Sequence, residues 1–467
     1  MSANLPAILG GKPVRTAPFT VGPMVGPEEE ALVLEAIRKR NFSRYIGSTS
    51  PDIETLLRMP STEARGIKAD WHFLGGENVR LFAAEFAEYF GVKYAIPVNA
   101  ATSGLSTALA AAGVAPGDEV ITPAISFSAT GSSILLFGGV PVFVDVDPRT
   151  FCIDPAAIEA AMTPRTKAIL PVHLLGNSCD MDRIQATAKK HGLKVIEDAA
   201  QAPGTKWRDR YVGTIGDAGV FSFQQSKNIM TGEGGMLVTN DPEIARRARL
   251  IANHGETTLE DRHTDDEIAN IVGCNFRMTE LSAALGRAQL PRLAAVNEWR
   301  NRNCRLLVEE LAGLPWLTAP YVPAEVSYVS HVAAFLYDAK ALGLSREVFV
   351  AALRAEGVPV GTGYTRTQYE CPTFLRRIAM GRDGFPWTAG SRASSVTYSR
   401  GQCPVAESLL GEKFIWMYHV AHPSTADDMR DVAAAIKKVG AHAAELAAKS
   451  AEILGTGMGG RAQGRIL

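Results

Sequence analysis

The chain has 467 residues, 46% of them hydrophobic and 21% charged, which suits a large core and exceeds one average domain. A formal net charge of −1 gives no electrostatic reason to expect nucleic acid or an anionic membrane as partner. No run approaches the roughly 18 uninterrupted apolar residues of a membrane span, and the N-terminus lacks the charged-then-apolar order of a secretion signal, so a cytoplasmic location is expected.

The six cysteines, Cys152, Cys179, Cys274, Cys304, Cys371 and Cys403, are scattered and none forms a CxxC pair. Neither a metal site nor a disulfide framework is expected from them. Residues 41–77 have no clean period and read as a loop-rich excursion within an N-terminal segment, 1–77. From about residue 78 the pattern becomes regular. Strand-like VKYAIPVN (92–99) leads to helical TSGLSTALAAAG (102–113), and EVITPAI to a helix around 128–137. VPVFVDVD (140–147) leads to PAAIEAAM, KAILPVHL to DRIQATAKKHG ending at Gly192, and LKVIEDAA follows. Apolar β-branched runs separated by helices argue for an α/β fold with a parallel sheet covered on both faces.

AGVFSFQQ and GGMLVTND read as two short strands around a loop that carries Lys227. PEIARRARLIANHG reads as a helix opened by Pro242 and closed by Gly255. A long helical stretch, 279–313, follows, and Pro291 should kink or divide it. A strand at HVAAFLYDAK, a helix at SREVFVAALRAEG and a helical run from residue 426 make a smaller C-terminal α/β domain. The expected domains are 78–295 and 296–467, and the glycine-rich last dozen residues are expected to fray.

In such a sheet, ligands bind beyond the carboxyl ends of the strands. Asp198 stands there, as a helix cap or as the partner of a ligand cation. Thr102 and Ser103 open a helix whose backbone N–H groups form an anion site by geometry, although ordinary capping explains them too. Phe127 could pack in the core or stack on a planar ligand. His173, also past a strand, could be structural or face a substrate. Ser222 and Lys227 complete the set. Pyridoxal phosphate needs a lysine for a Schiff base, an anion site for its phosphate, an aromatic face and an aspartate for its ring nitrogen. Residues 102, 127, 198, 222 and 227 supply all of these in chain order.

The segments NAATSGLSTAL, GDEVITPAISFSAT, PVHLLGNSCDMDRI, VIEDAAQAPGT, FSFQQSKNIMTGEGGMLVTND, NHGE and GCNFRMTELSAALGRAQL resemble the DegT/DnrJ/StrS-type sugar aminotransferases, of fold type I. That resemblance implies a mainly parallel seven-stranded sheet in the large domain. It implies that Lys227 carries the cofactor, that Asp198 binds the pyridine nitrogen and Gln201 the ring hydroxyl, and that Phe127 stacks on the ring. It assigns the phosphate to Ala101, Thr102 and Ser222, with Asn275 reaching the phosphate of a neighbouring subunit in a homodimer. Relatives that remove a hydroxyl carry histidine in place of the lysine, so Lys227 favours a transaminase that passes through pyridoxamine phosphate. A dehydratase or a non-catalytic regulator of the same fold is the alternative. A dinucleotide oxidoreductase is disfavoured, because NAATSG stands where GxGxxG would follow the first strand. The acceptor is expected to be a keto sugar or keto-cyclitol and the donor glutamine or glutamate. Tyr364, Arg366 and His419, with His173, are the candidates to reach the substrate.

Overall fold

The computed structural model describes residues 4–45, 53–67, 73–255, 272–364 and 366–455. Seven strands form the main sheet: β1 (Tyr94–Val98), β2 (Glu119–Pro123), β3 (Val140–Val144), β4 (Thr166–Ile169), β5 (Lys194–Asp198), β6 (Ala218–Ser222) and β7 (Gly235–Thr239). Their spatial order is β1-β7-β6-β5-β4-β2-β3. Only β7 runs against its neighbours, pairing antiparallel with both β1 and β6. The ends of β1 and β6 and the start of β7 therefore lie together at one edge of the sheet. Nearly every sheet residue is buried, as expected for strands covered on both faces.

The helices begin and end where their terminal residues favour it. Helix α1 spans Pro27–Arg38, α2 Glu77–Phe90, α3 Ala101–Ala111, α4 Ser128–Leu136 and α5 Met181–His191. The Asp180 side chain accepts the Arg183 N–H at the start of α5, and Gly192 closes it at φ 66°. Helix α6 (Pro242–Ala252) has Pro242 in its first turn and Asp241 as cap. It ends three residues before the expected Gly255, whose N–H returns to the Leu250 carbonyl at 2.7 Å. Pro291 divides the long stretch into α7 (Glu280–Gln289), a 3₁₀ turn (Leu290–Arg292) and α8 (Leu293–Glu310).

The C-terminal part is built on a small antiparallel sheet of β8 (Leu317–Thr318), β9 (Ala333–Tyr337) and β10 (Phe414–Met417), packed by α9 (Arg346–Ala355) and α10 (Ala426–Ala441). Helix α8 runs across the expected boundary at 296. Its Leu293 belongs to the core of the large sheet and its Leu307 to the C-terminal core. The described residues of the N-terminal segment pack against later elements of the chain. Ile8, Leu9, Val14 and Phe19 pack on the C-terminal core, while Glu29 in α1 pairs with Arg292 at 2.8 Å.

Within 41–77 the described residues form two short helices, Ile53–Arg58 and Ser61–Ala64. The buried Arg249 guanidinium donates to the carbonyls of Leu56, Leu57 and Met59, holding the first of them onto α6. The rest of that excursion, Glu256 of NHGE and the last dozen residues lie outside the described residues.

Candidate active site

Asp198 is the last residue of β5 and is only 5% exposed. Its Oδ2 accepts from the Thr130 hydroxyl at 2.8 Å and its Oδ1 from the Ala200 N–H at 3.1 Å. Thr130 uses its one proton on Asp198, so Ser126 must donate to Thr130 across their 2.7 Å contact. Burial raises the Asp198 pKa, and Thr130, Ala200 N–H and the Lys227 charge oppose that rise.

Lys227 lies in the β6–β7 connection. That loop is closed by Phe223 N–H to the Gly234 carbonyl at 2.9 Å and Gln225 N–H to the Gly232 carbonyl at 2.8 Å. Gln224 Oε1 accepts both the N–H and the hydroxyl of Ser226, so the first glutamine of QQSK folds the turn just before the lysine. Only Gly232 needs left-handed backbone, at φ 79°. Gly234 and Gly235 serve close approach instead. A Cβ on Gly234 would meet Thr231 Oγ1 at 2.4 Å, and one on Gly235 would meet the Ala101 nitrogen at 2.7 Å.

No hydrogen bond holds the Lys227 amine among the described residues. Burial is the largest influence on it and lowers its pKa to about 8; Asp198 opposes this and Arg300 reinforces it. A substantial share of the amine is therefore neutral at physiological pH, as a nucleophile requires.

The phosphate candidates converge through the sheet register. Ser222 ends β6 opposite Gly235, and Gly235 is also opposite Val98 at the end of β1. The bare Gly235 backbone admits the start of α3, which has no side-chain cap, so its opening N–H groups face this corner beside Ala101 and Thr102. A phosphate fits a cradle of this kind: uncapped helix donors, a serine hydroxyl, and a glycine where a Cβ would intrude. Phe127 immediately precedes α4 and is 63% exposed, so it is not a core residue and its ring is available to a ligand.

Gln201 Oε1 accepts the Leu175 N–H at 2.9 Å, and its amide donates to the Tyr364 hydroxyl at 2.7 Å. Tyr364 thus comes from the C-terminal part into the same site, where burial pushes its hydroxyl up to about 12. The other substrate candidates stand elsewhere. His173 is fully buried and engaged by structural partners. Its Nδ1 accepts the Cys179 N–H at 3.2 Å, so its Nε2 carries the proton and donates to Glu197 at 2.9 Å. Arg366 is exposed beside Glu370 and Arg400 in a separate surface cavity. His419 packs edge-on against Phe19, 5.5 Å between ring centres. Asn275 is exposed, and its side-chain oxygen accepts Arg277 Nε at 2.9 Å.

Sequence reasoning overlooked Thr130, Arg300, Tyr418 and His331. Arg300 did leave a signal. It falls on the stripe Val296, Arg300, Asn303, Leu307 of α8, all of it buried, and a cation on a buried stripe is costly unless it has a task.

A family model described as the DegT/DnrJ/EryC1/StrS aminotransferase family matches residues 62–397. The L-glutamine:2-deoxy-scyllo-inosose aminotransferase of Streptoalloteichus tenebrarius is 37% identical over 454 residues, 95% of this chain and 99% of the relative. The UDP-N-acetyl-3-dehydro-alpha-D-glucosamine 3-aminotransferase of Acidithiobacillus ferrooxidans is 43% identical over 290 residues, 62% of this chain and 75% of its own. Among solved structures, 3-amino-5-hydroxybenzoic acid synthase superposes with a TM-score of 0.73 at 27% identity, covering 91% of this chain and 99% of that one. With Lys227, Asp198 and the Ser222–Gly235 corner arranged as described, the chain belongs to the DegT/DnrJ/EryC1/StrS family of pyridoxal-phosphate-dependent aminotransferases.

Proposed function

We propose that the chain transfers the amino group of glutamine to a ketone on a cyclitol ring. The observation that carries this reading is the extent of the match. The cyclitol aminotransferase aligns over 95% of this chain and 99% of its own length, whereas the nucleotide-sugar enzyme aligns over 62% and 75%. A keto sugar as acceptor and glutamate as donor are the alternatives to be tested against it.

The residues divide the work. Lys227 binds the cofactor through Nζ and, when released, holds and returns the proton moved at the donor or acceptor carbon. Asp198 supplies a buried negative charge, steadied by Thr130 and the Ala200 N–H, to pair with a protonated ring nitrogen. Pyridoxal phosphate, when bound, supplies the electron sink and the temporary store for the amino group. Ser222 and the start of α3 orient it through its phosphate, Phe127 offers a face for its ring, and Gln201, braced by Tyr364 and Leu175, orients its ring hydroxyl.

The reading includes a homodimer in which Asn275 extends toward the neighbouring subunit's phosphate corner; its exposed position supports this. It also includes a cytoplasmic location, checked by fractionation. No helix of the described residues is long and apolar enough to cross a membrane.

The test is to incubate the loaded enzyme with glutamine and 2-deoxy-scyllo-inosose, and in parallel with nucleotide-linked ketosugars, and to follow amine formation by mass spectrometry. The expected product is the aminated cyclitol. Amination of the nucleotide sugars alone would overturn the acceptor, and turnover with glutamate but not glutamine would overturn the donor. Loss of a hydroxyl without gain of an amine would make the enzyme a dehydratase.

A further inference from the structure

Arg300 projects from α8 and is 3% exposed. Its guanidinium donates to the His331 carbonyl at 2.6 Å, to the Ser226 carbonyl at 3.3 Å and to the Tyr418 hydroxyl at 3.2 Å. Its Cζ lies 5.2 Å from the centre of the Tyr418 ring. No carboxylate pairs with it among the described residues. A buried cation without a counter-ion is expensive, and neutral oxygens repay only part of that cost.

Those contacts fall beside the lysine. Ser226 immediately precedes Lys227, and its carbonyl also accepts the Tyr418 hydroxyl. On the other side, Asn228 Nδ2 donates to Asn297 Oδ1 at 2.8 Å and to the Ser330 carbonyl at 3.3 Å. Asn297 and Arg300 are three residues apart on α8, so one helix face grips the chain both before and after Lys227. Lys227, Arg300 and Tyr418 line one small cavity behind the loop.

We propose that Arg300 is a positioning residue for Lys227: it clasps the Ser226 carbonyl and keeps a second cation, unpaired among the described residues, beside the lysine amine. Among the described residues, the titratable groups facing Lys227 are Asp198 from β5, Arg300 from α8, His331 next to β9, and Tyr418 and His422 after β10. Asp198 favours the charged amine and Arg300 disfavours it. His331 is held neutral, its pKa lowered by burial and by the charges of Lys227 and Arg300. Asp198 alone would hold a proton on the lysine, and Arg300 offsets it. The proposal rests on the cofactor site and not on which ketone is aminated, so a failed substrate assignment leaves its test intact.

The test uses the loaded enzyme. The visible absorbance of the cofactor held on Lys227 reports the protonation of that nitrogen, and its pH midpoint is read in wild type, Arg300→Met, Arg300→Lys and Tyr418→Phe. Removing the cation should move the midpoint upward by about one pH unit or more, because the protonated nitrogen no longer faces a like charge. Arg300→Lys retains the charge and should stay within about a few tenths of a unit of wild type. Tyr418→Phe removes a neutral donor and should also leave the midpoint in place. An unmoved midpoint in Arg300→Met overturns the proposal, as does an equal shift in Arg300→Lys. If Arg300→Met does not fold, Arg300→Gln carries the same expectation. The lysine variant also decides alone: a midpoint displaced by a full unit with the charge retained refutes the electrostatic role.

Discussion

Gly235→Ala tests the phosphate corner most directly. The added Cβ would stand 2.7 Å from the Ala101 nitrogen, 2.8 Å from the Ala100 carbonyl carbon and 3.0 Å from the Ala101 Cα. All three are backbone atoms at the start of α3, so no side chain can swing away. Ordinary contact begins near 3.4 Å, which requires the helix start to retreat by about 0.7 Å. A phosphate hydrogen bond of about 2.9 Å would lengthen to about 3.6 Å, beyond useful range. Losing one charge-assisted bond costs about 2 kcal/mol, or roughly 30-fold in affinity. The assay is equilibrium titration of cofactor-free protein with pyridoxal phosphate, read by absorbance. Gly232→Ala is the control: its Cβ meets nothing within 4 Å, but φ is 79°, so it should cost about 1 kcal/mol of stability and leave cofactor affinity alone. Wild-type affinity in Gly235→Ala, or equal losses in both variants, would refute the assignment of this corner to the phosphate.

Lys227→Ala should abolish turnover together with the absorbance of the covalently held cofactor; residual turnover at the wild-type rate would remove Lys227 from the mechanism. With Nζ lowered to about 8, the neutral amine rises from about one-tenth at pH 7 to about nine-tenths at pH 9. Cofactor capture by the stripped protein, followed by stopped-flow absorbance, should therefore accelerate roughly tenfold over that range. Thr130→Val removes a donor to the ionised Asp198 and should raise its pKa further. The acidic limb of the kcat/KM profile should then move to higher pH, whereas an unchanged limb would deny Thr130 that role. Glu197→Gln sets an amide against four donors and should lower stability by about 2 kcal/mol or more, seen as a lower thermal midpoint.

The main sheet and its helices were legible because the strands are short apolar runs and the helices carry terminal signals; Gly192, Pro242 and Pro291 act as their chemistry predicts. The candidate cofactor residues stood out in the sequence because they close or follow strands, and Asp198 and Ser222 do end theirs. The C-terminal part was less so. β10 is a four-residue strand, FIWM, whose place is set by pairing with β9 some 80 residues earlier, and local pattern carries no trace of such pairing. Tyr364 and Tyr418 likewise enter the site by long-range packing. Helix α8 showed its period, but the period could not say that its buried stripe spans two cores and grips the lysine loop. His173 had the position of a site residue and the environment of a structural one, and only its partners distinguish them.

Those partners also explain how two adjacent acids came to differ. Glu197 and Asp198 are consecutive at the end of β5, so their side chains leave opposite faces of the sheet. Both are buried, at 0% and 5% exposure. Glu197 receives the N–H groups of Gly213, Ile215 and Gly216 at 2.7, 2.6 and 2.6 Å, and His173 Nε2 at 2.9 Å. A carboxylate offers about four acceptor sites, so Glu197 is saturated and has nothing left to offer a ligand. Asp198 receives only Thr130 and the Ala200 N–H among the described residues, which leaves about half its capacity unused. A buried carboxylate left half-satisfied is costly on its own account, and burial accordingly raises its pKa. A cationic ring nitrogen would supply the missing partner and favour the charged form of Asp198. The sequence IED contains both acids without ranking them; the count of donors on each leaves Asp198, not Glu197, with acceptor capacity for the proposed cofactor contact.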